Sequence, residues 1–203
     1  MGTMTDIEQA LAAGAARDAG GPPPQLLEAI TTAAARDGLL DVRYAVIDAP
    51  LGPLVVAATD AGVVRVSFDS PEVAAEELAR RVSPRVMAAP ALLDDVRREL
   101  DAYFAGRRTT FDIPLDWRLV TGPFARRVLT RTAAIPYGTT STYAAVARDA
   151  GNPQASRATG NALGANPICV IVPCHRVLRS GGGLGGYAGG VPAKRMLLDL
   201  ESA

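Results

Sequence analysis

The stretch Ile171-Val172-Pro173-Cys174-His175-Arg176-Val177 sets the chain's only histidine directly after one of its two cysteines. β-Branched residues on both sides predict a buried strand or strand end. Pro173 removes a backbone donor and restricts its neighbour, so it stops the strand and presents Cys174 at a bend. A cysteine in an apolar run is commonly a small core residue. A thiol with a proline before it and an imidazole after it also fits a nucleophile, because the thiolate is the reactive species and an imidazole can take its proton. The rest of the chain decides between the two.

Downstream, Ser180 to Gly190 holds seven glycines and one aromatic, Tyr187. Gly181, Gly183 and Gly186 have the spacing of a dinucleotide-binding loop, but no strand–helix unit surrounds them and no Gly-Lys-Ser/Thr phosphate loop is present. The run fits a loop whose backbone lines a pocket beside Cys174. Pro192 opens a last helix with Met196, Leu197 and Leu200 on its apolar side. Glu201 ends it, where an acid faces the negative pole of the helix. Either this end is frayed, or Glu201 orients another group, and His175 is the one imidazole available.

Upstream, Pro123 opens a helix over Phe124 to Ala134, and Ile135-Pro136-Tyr137-Gly138 breaks it. Tyr143–Ala150 and Gln154–Leu163 read as two short helices around the turn Gly151-Asn152-Pro153, a helix-turn-helix pattern. Arg157 sits near the start of the second, among Ala155, Ser156, Ala158, Thr159 and Gly160. Such a helix approaches another backbone closely with one long cation projecting; an exposed solubilising arginine is the plainer account.

Towards the N-terminus, runs at 43–47, 53–58 and 63–68 predict an antiparallel meander. Helices are expected over Pro71–Val82 and Ala91–Ala105, and an edge strand over Phe111–Leu115, where Pro114 excludes a central position. This half shows no histidine, no cysteine and no evident site. Residues 1–24 end in Gly-Gly-Pro-Pro-Pro and read as a linker, followed by a short helix from Gln25 to Arg36. The expected architecture is α+β. Residues 1–40 form an N-terminal extension, 41–118 a small α/β domain with a short antiparallel sheet, and 119–203 a mainly helical domain of winged-helix type carrying the cysteine.

Net charge is zero, but unevenly placed. Residues 1–121 carry 12 Lys+Arg against 18 Asp+Glu, or −6, and residues 122–203 carry 9 against 3, or +6. An acid-poor, arginine-rich half suits a polyanionic partner. No apolar run is long enough to cross a bilayer, the N-terminus lacks a secretory layout, and two cysteines make no disulfide framework. These point to a reduced, cytoplasmic protein.

With those residues in view the chain resembles the O6-alkylguanine-DNA alkyltransferases, from about Val42 to Glu201. The likeness rests on Pro173-Cys174-His175-Arg176, together with Ile135-Pro136-Tyr137-Gly138, Tyr143, Gly151-Asn152-Pro153, Ser156-Arg157-Ala158, Asn166-Pro167 and Tyr187-Ala188-Gly189-Gly190 in order. It implies a ribonuclease H-like first domain and single-turnover transfer of an O6-alkyl group of guanine, and of O4-alkyl thymine, from duplex DNA to Cys174. His175, held by Glu201 and joined to Cys174 through a water, would be the base, and Asn166 would hold the turn. Arg157 would fill the gap left by the extruded base, with Asn152, Ala155 and Ser156 also at the DNA. Tyr143 would contact base and phosphate and donate a proton to the leaving guanine. The carbonyls of Cys174 and Val177 would read the guanine amino group, and Tyr187 and Ala188 would wall the pocket, the Ala188 amide donating to O6. The family usually has Ser at 188, and Asn161 replaces a smaller residue.

The resemblance also implies a monomer that needs no cofactor. Some relatives carry a zinc near the N-terminus, but this half has no cysteine or histidine to bind it. Two other classes stay open: a cysteine hydrolase, and a DNA-binding regulator without chemistry. In a strand, neighbouring side chains point to opposite faces, which favours a water relay over a direct Cys–His dyad.

Overall fold

The structure, a computed structural model, describes residues 23–202; the expected linker lies almost wholly outside them. Helix α1 (Pro24–Arg36) precedes strands β1 (Val42–Ile47), β2 (Leu54–Thr59) and β3 (Gly62–Ser67), which form the expected antiparallel meander. A fourth strand, β4 (Val86–Ala88), pairs with β1 in parallel, so the order is β3-β2-β1-β4 and the sheet is mixed. Three residues after a helix are too short a run to show a period in sequence.

All six residues of β2 are buried, because both faces of the sheet are covered. The two-residue period sends Leu54, Val56 and Ala58 towards one core with Val96, Leu100 and Tyr103. Ala57 goes to the other, with Val42, Val64, Leu78 and Leu119. Each fully buried aliphatic chain contributes about 1.5–3 kcal/mol. Helix α2 (Pro71–Arg81) is capped by Ser70, whose hydroxyl accepts from the Val73 amide, and covers the second core with Ala74 and Leu78.

Two expectations in this half need correction. The helix predicted from Ala91 begins as a 3₁₀ turn, Pro90–Leu93, and becomes α3 only over Asp94–Phe104. The strand predicted over Phe111–Leu115 is an extended segment with a single bridge, Leu115 to Val63. The Val63 amide donates to the Pro114 carbonyl at 2.8 Å and the Asp116 amide donates back to the Val63 carbonyl at 2.8 Å. Pro114 has no donor of its own, which stops the ladder there. The segment lies so close that a Cβ on Gly62 would overlap the Pro114 carbonyl.

In the second half, α4 (Pro123–Ala133) buries Val128, Leu129 and Thr132. Strand β5 (Ser141–Thr142) leads into α5 (Tyr143–Asp149), whose first turn is capped by the Thr142 hydroxyl. Gly151, at φ +86°, closes that helix, and α6 (Ser156–Gly164) packs back on it, as the helix-turn-helix pattern predicts. Strand β6 (Val177–Leu178) pairs with β5, and α7 (Gly190–Glu201) ends the described chain. No described helix is long and apolar enough to cross a membrane.

The halves are joined at the β3 edge of the sheet. The Val66 amide of β3 donates to the Pro167 carbonyl at 2.8 Å, and the Cys169 amide donates to the Val66 carbonyl at 2.9 Å. Residues 167–169 thus continue the sheet for one bridge, Val66 to Ile168, before the chain turns away. That bridge anchors the segment that carries Cys174.

Candidate active site

The quoted stretch is not a strand. Residues 169–172 form a tight turn, Cys174–Arg176 a short 3₁₀ helix, and the strand starts only at Val177. Its β-branched residues serve burial rather than extension: Ile168, Val170 and Val172 are all fully buried. Asn166 decides the local shape. Its Oδ1 accepts from the Ile168 amide at 3.0 Å, and its Nδ2 donates to the Val172 carbonyl at 2.9 Å and to Cys174 Sγ at 3.2 Å. The Val172 amide donates to the Ile168 carbonyl at 2.9 Å. Val170 sits at φ +70°, the one non-glycine residue with positive φ among those described. For a β-branched residue this is costly, and such strain persists where the surroundings over-determine the backbone.

Cys174 faces a cavity of about 280 Å³ lined also by Tyr143, Gly160, Leu163, Gly164, Gly186, Tyr187 and Ala188. The pocket residues Cys174, Tyr143, Tyr187 and Ala188 come together as expected. Val177 does not: it is fully buried, absent from the lining, and its carbonyl accepts from Lys194 Nζ at 2.7 Å. That bond fills one of the two acceptor positions of the carbonyl assigned to a ligand. Gly185, at φ +70°, lets the glycine loop approach the Tyr143 hydroxyl; a Cβ there would lie 2.7 Å from it. Phe68, from β3's end, stacks edge-on against Tyr187 at 5.7 Å between centroids.

His175 is completely buried, with Nε2 2.9 Å from Glu201 Oε1. Burial holds its pKa below the ordinary histidine value, against the pull of Glu201, so the ring is neutral near pH 7. Nε2–H then donates to the carboxylate and Nδ1 is left as an acceptor; no hydrogen-bond partner meets that buried Nδ1 among the described residues. Glu201 is no frayed end. It is 5 % exposed and takes hydrogen bonds from Arg176 Nε and Nη2, both 2.8 Å, and from the Tyr103 hydroxyl at 2.6 Å. Burial raises its pKa, but the bonds from His175, Arg176 and Tyr103 outweigh it and bring it to about 2.

Several contributors escaped the sequence reading. Tyr103 comes from α3 in the half that showed no site. Arg176 is buried and also donates to the Ile135 carbonyl. Lys194, the chain's one lysine, is fully buried on α7. A lone lysine among twenty arginines, on the apolar side of a helix between Ala193 and Leu197, was the available signal. The neighbouring Cys169 thiol lowers the pKa of Cys174, with help from Asn166 and Lys194 and against the effect of burial.

Arg157 is exposed in the first turn of α6, three and seven residues before Gly160 and Gly164 of the cavity wall, hence on the same helix face. Asn152 is exposed, and Ala155 and Ser156 half-buried, at the same end.

An exposed arginine on a helix-turn-helix unit, on the same helix face as the wall of a cavity that holds a cysteine, fits a DNA-directed cysteine acceptor. Comparison with known proteins agrees. Residues 42–117 match the 6-O-methylguanine DNA methyltransferase ribonuclease-like domain, and residues 123–203 the DNA binding domain of the same family. The methylated-DNA–protein-cysteine methyltransferase of Mycobacterium tuberculosis is 41% identical over 162 residues, 80% of this chain and 93% of the relative. That of Methanosarcina acetivorans is 38% identical over 160 residues, 79% and 98% of the two chains. The crystal structure of Mycobacterium tuberculosis OGT in complex with DNA superposes with a TM-score of 0.69 at 38% identity, covering 79% of this chain and 92% of that one. The chain belongs to the 6-O-methylguanine DNA methyltransferase family.

Proposed function

We infer that the protein repairs DNA directly, moving the alkyl group of O6-alkylguanine in a duplex to Cys174. The observation that carries this is the buried series Cys174, His175, Glu201 at the foot of a cavity walled by the recognition helix α6. Asn166, Lys194 and the Cys169 thiol favour the thiolate. Neutral His175, its Nε2–H fixed by Glu201, offers Nδ1 as the base; a bridging water fits a turn in which the two side chains make no direct bond. The thiolate attacks the alkyl carbon, the S–C bond forms, and the C–O6 bond breaks to leave a guanine anion. Tyr143, its phenol kept protonated by burial, supplies the proton. The thioether is stable, so each molecule acts once.

The base reaches the cavity only by leaving the duplex, which costs roughly a few kcal/mol in lost stacking. Arg157, entering the stack, offsets part of that. Exposed Arg126, Arg127, Arg131 and Arg148 suit phosphate contacts that weaken with salt. Residues 119–203 would hold the chemistry and the DNA site, and 41–118 would brace the cysteine turn through Val66 and Tyr103. The site of action would be the cytoplasm, and O4-alkyl thymine a second substrate. Nucleoside analysis of a duplex carrying one O6-methylguanine tests the reading. Guanine should reappear in proportion to protein added, and Cys174→Ala should restore none; a lesion left intact by reduced wild-type protein excludes it.

A further inference from the structure

The activity leaves the second cysteine with no task beyond hydrogen bonding. Cys169 is 2 % exposed, and its sulfur lies 3.6 Å from the Asn166 carbonyl, while Cys174 Sγ lies 3.2 Å from the same residue's side-chain amide. The turn between them is folded back on itself: Val172 N–H bonds to the Ile168 carbonyl and Ile171 N–H to the Cys169 carbonyl. Both sulfurs therefore lie against the same residue, Asn166, at the two ends of one folded-back turn. They also face different spaces. Cys174 opens on the base cavity, and Cys169 on a second cavity of about 350 Å³ lined by Arg65, Asp69, Glu77 and Asn166. The Cys174 sulfur is thus reachable by a small solute and has its pKa lowered, while its neighbour Cys174 and burial raise that of the Cys169 thiol held behind it.

We propose that Cys169 is a resolving thiol, and that the pair forms a reversible internal disulfide when Cys174 meets a hydroperoxide such as hydrogen peroxide. The Cys174 thiolate attacks a peroxide oxygen; the S–O bond forms, the O–O bond breaks, and hydroxide leaves to become water. Cys174, oxidised by two electrons, is now a sulfenic acid. The Cys169 sulfur then attacks the Cys174 sulfur, its proton leaves with the departing hydroxyl as a second water, and the S–S bond forms. Thiolate character beside a second thiol is the setting in which sulfenic acids resolve rather than oxidise further. On the alkyl-acceptor reading, on which this consequence rests, a thiol used once would be stored through oxidative exposure instead of lost.

Intact mass of the full chain after exposure to excess hydrogen peroxide reads the outcome. The wild type should lose two hydrogens, give a peptide cross-linked between Cys169 and Cys174, and recover fully with a thiol reductant. Cys169→Ser, or Cys169→Ala if the first folds poorly, should instead gain two or three oxygens that the reductant does not remove. Wild-type protein that gains oxygens without losing hydrogens, or cross-links only between molecules, overturns the proposal. The readout is independent of DNA: protein that forms the disulfide but never takes a methyl group would refute the repair function alone.

Discussion

Tyr103 donates to Glu201 at 2.6 Å across 98 residues of sequence, so the first half of the chain holds the carboxylate that holds the His175 imidazole. The bond is buried and charge-assisted, a type worth roughly 1.5–3 kcal/mol. Tyr103→Phe should lower the unfolding free energy by about that amount. It should also slow alkyl transfer, because Glu201 is then free to lean towards Arg176. Urea unfolding and single-turnover rates on one sample check both. A large loss of stability with an unchanged rate would show that the bond only ties the halves together.

Glu201 sets an acid limit. Its folded pKa of about 2 lies below the ordinary 4.5, so its contribution to stability is full above 4.5 and is lost as pH falls towards 2. Glu201→Gln should flatten the fall of unfolding free energy over that window and lower stability near neutrality. Equilibrium unfolding at stepped pH measures the slope, and parallel curves for the two proteins would exclude the assignment.

Lys194 tests the electrostatics of the thiolate. Its ammonium is buried with the Val177 carbonyl as its one recorded partner among the described residues. Lys194→Met removes a buried charge at similar volume, so stability should hold or rise. The pH midpoint for Cys174 alkylation by iodoacetamide should move up, because a cation that favours the thiolate is gone. An unmoved midpoint in folded protein means the lysine serves only the backbone.

The DNA side rests on Arg157 and Gly185. Arg157→Ala should slow transfer from a duplex by roughly tenfold or more, matching a part of the unstacking cost, and leave transfer from free O6-benzylguanine nearly unchanged. Gly185→Ala should impair both substrates, since the new Cβ displaces the Tyr143 hydroxyl from one wall of the cavity. The ratio of the two rates in each variant separates base extrusion from pocket shape.

Much of this was legible in sequence where a local pattern had one physical solution. The meander and the helix pair around Gly151 follow from period and turn residues, and the His175–Glu201 pair from the chemistry of the one histidine; Asn166 beside Cys174 came only from the resemblance. The residues around Cys174 misled because β-branched side chains signal burial as readily as extension; the Asn166 bonds and the Val170 conformation, both tertiary effects, turned a predicted strand into a turn. Tyr103 was invisible as a site residue because Val96, Leu100 and Tyr103 form an ordinary helical stripe whose last member happens to reach Glu201. Val177 was assigned to the pocket by resemblance, and nothing in the sequence shows that buried Lys194 bonds its carbonyl.

The central claim is that a single sulfur accepts the alkyl group. Intact mass followed by peptide mapping, after incubation with excess duplex containing O6-methylguanine, tests it most directly. One methyl group per chain, located on Cys174 and absent from Cys174→Ala, is the predicted result. A reduced, folded protein that stays unmodified, or carries the methyl on Cys169 or any other residue, would contradict it.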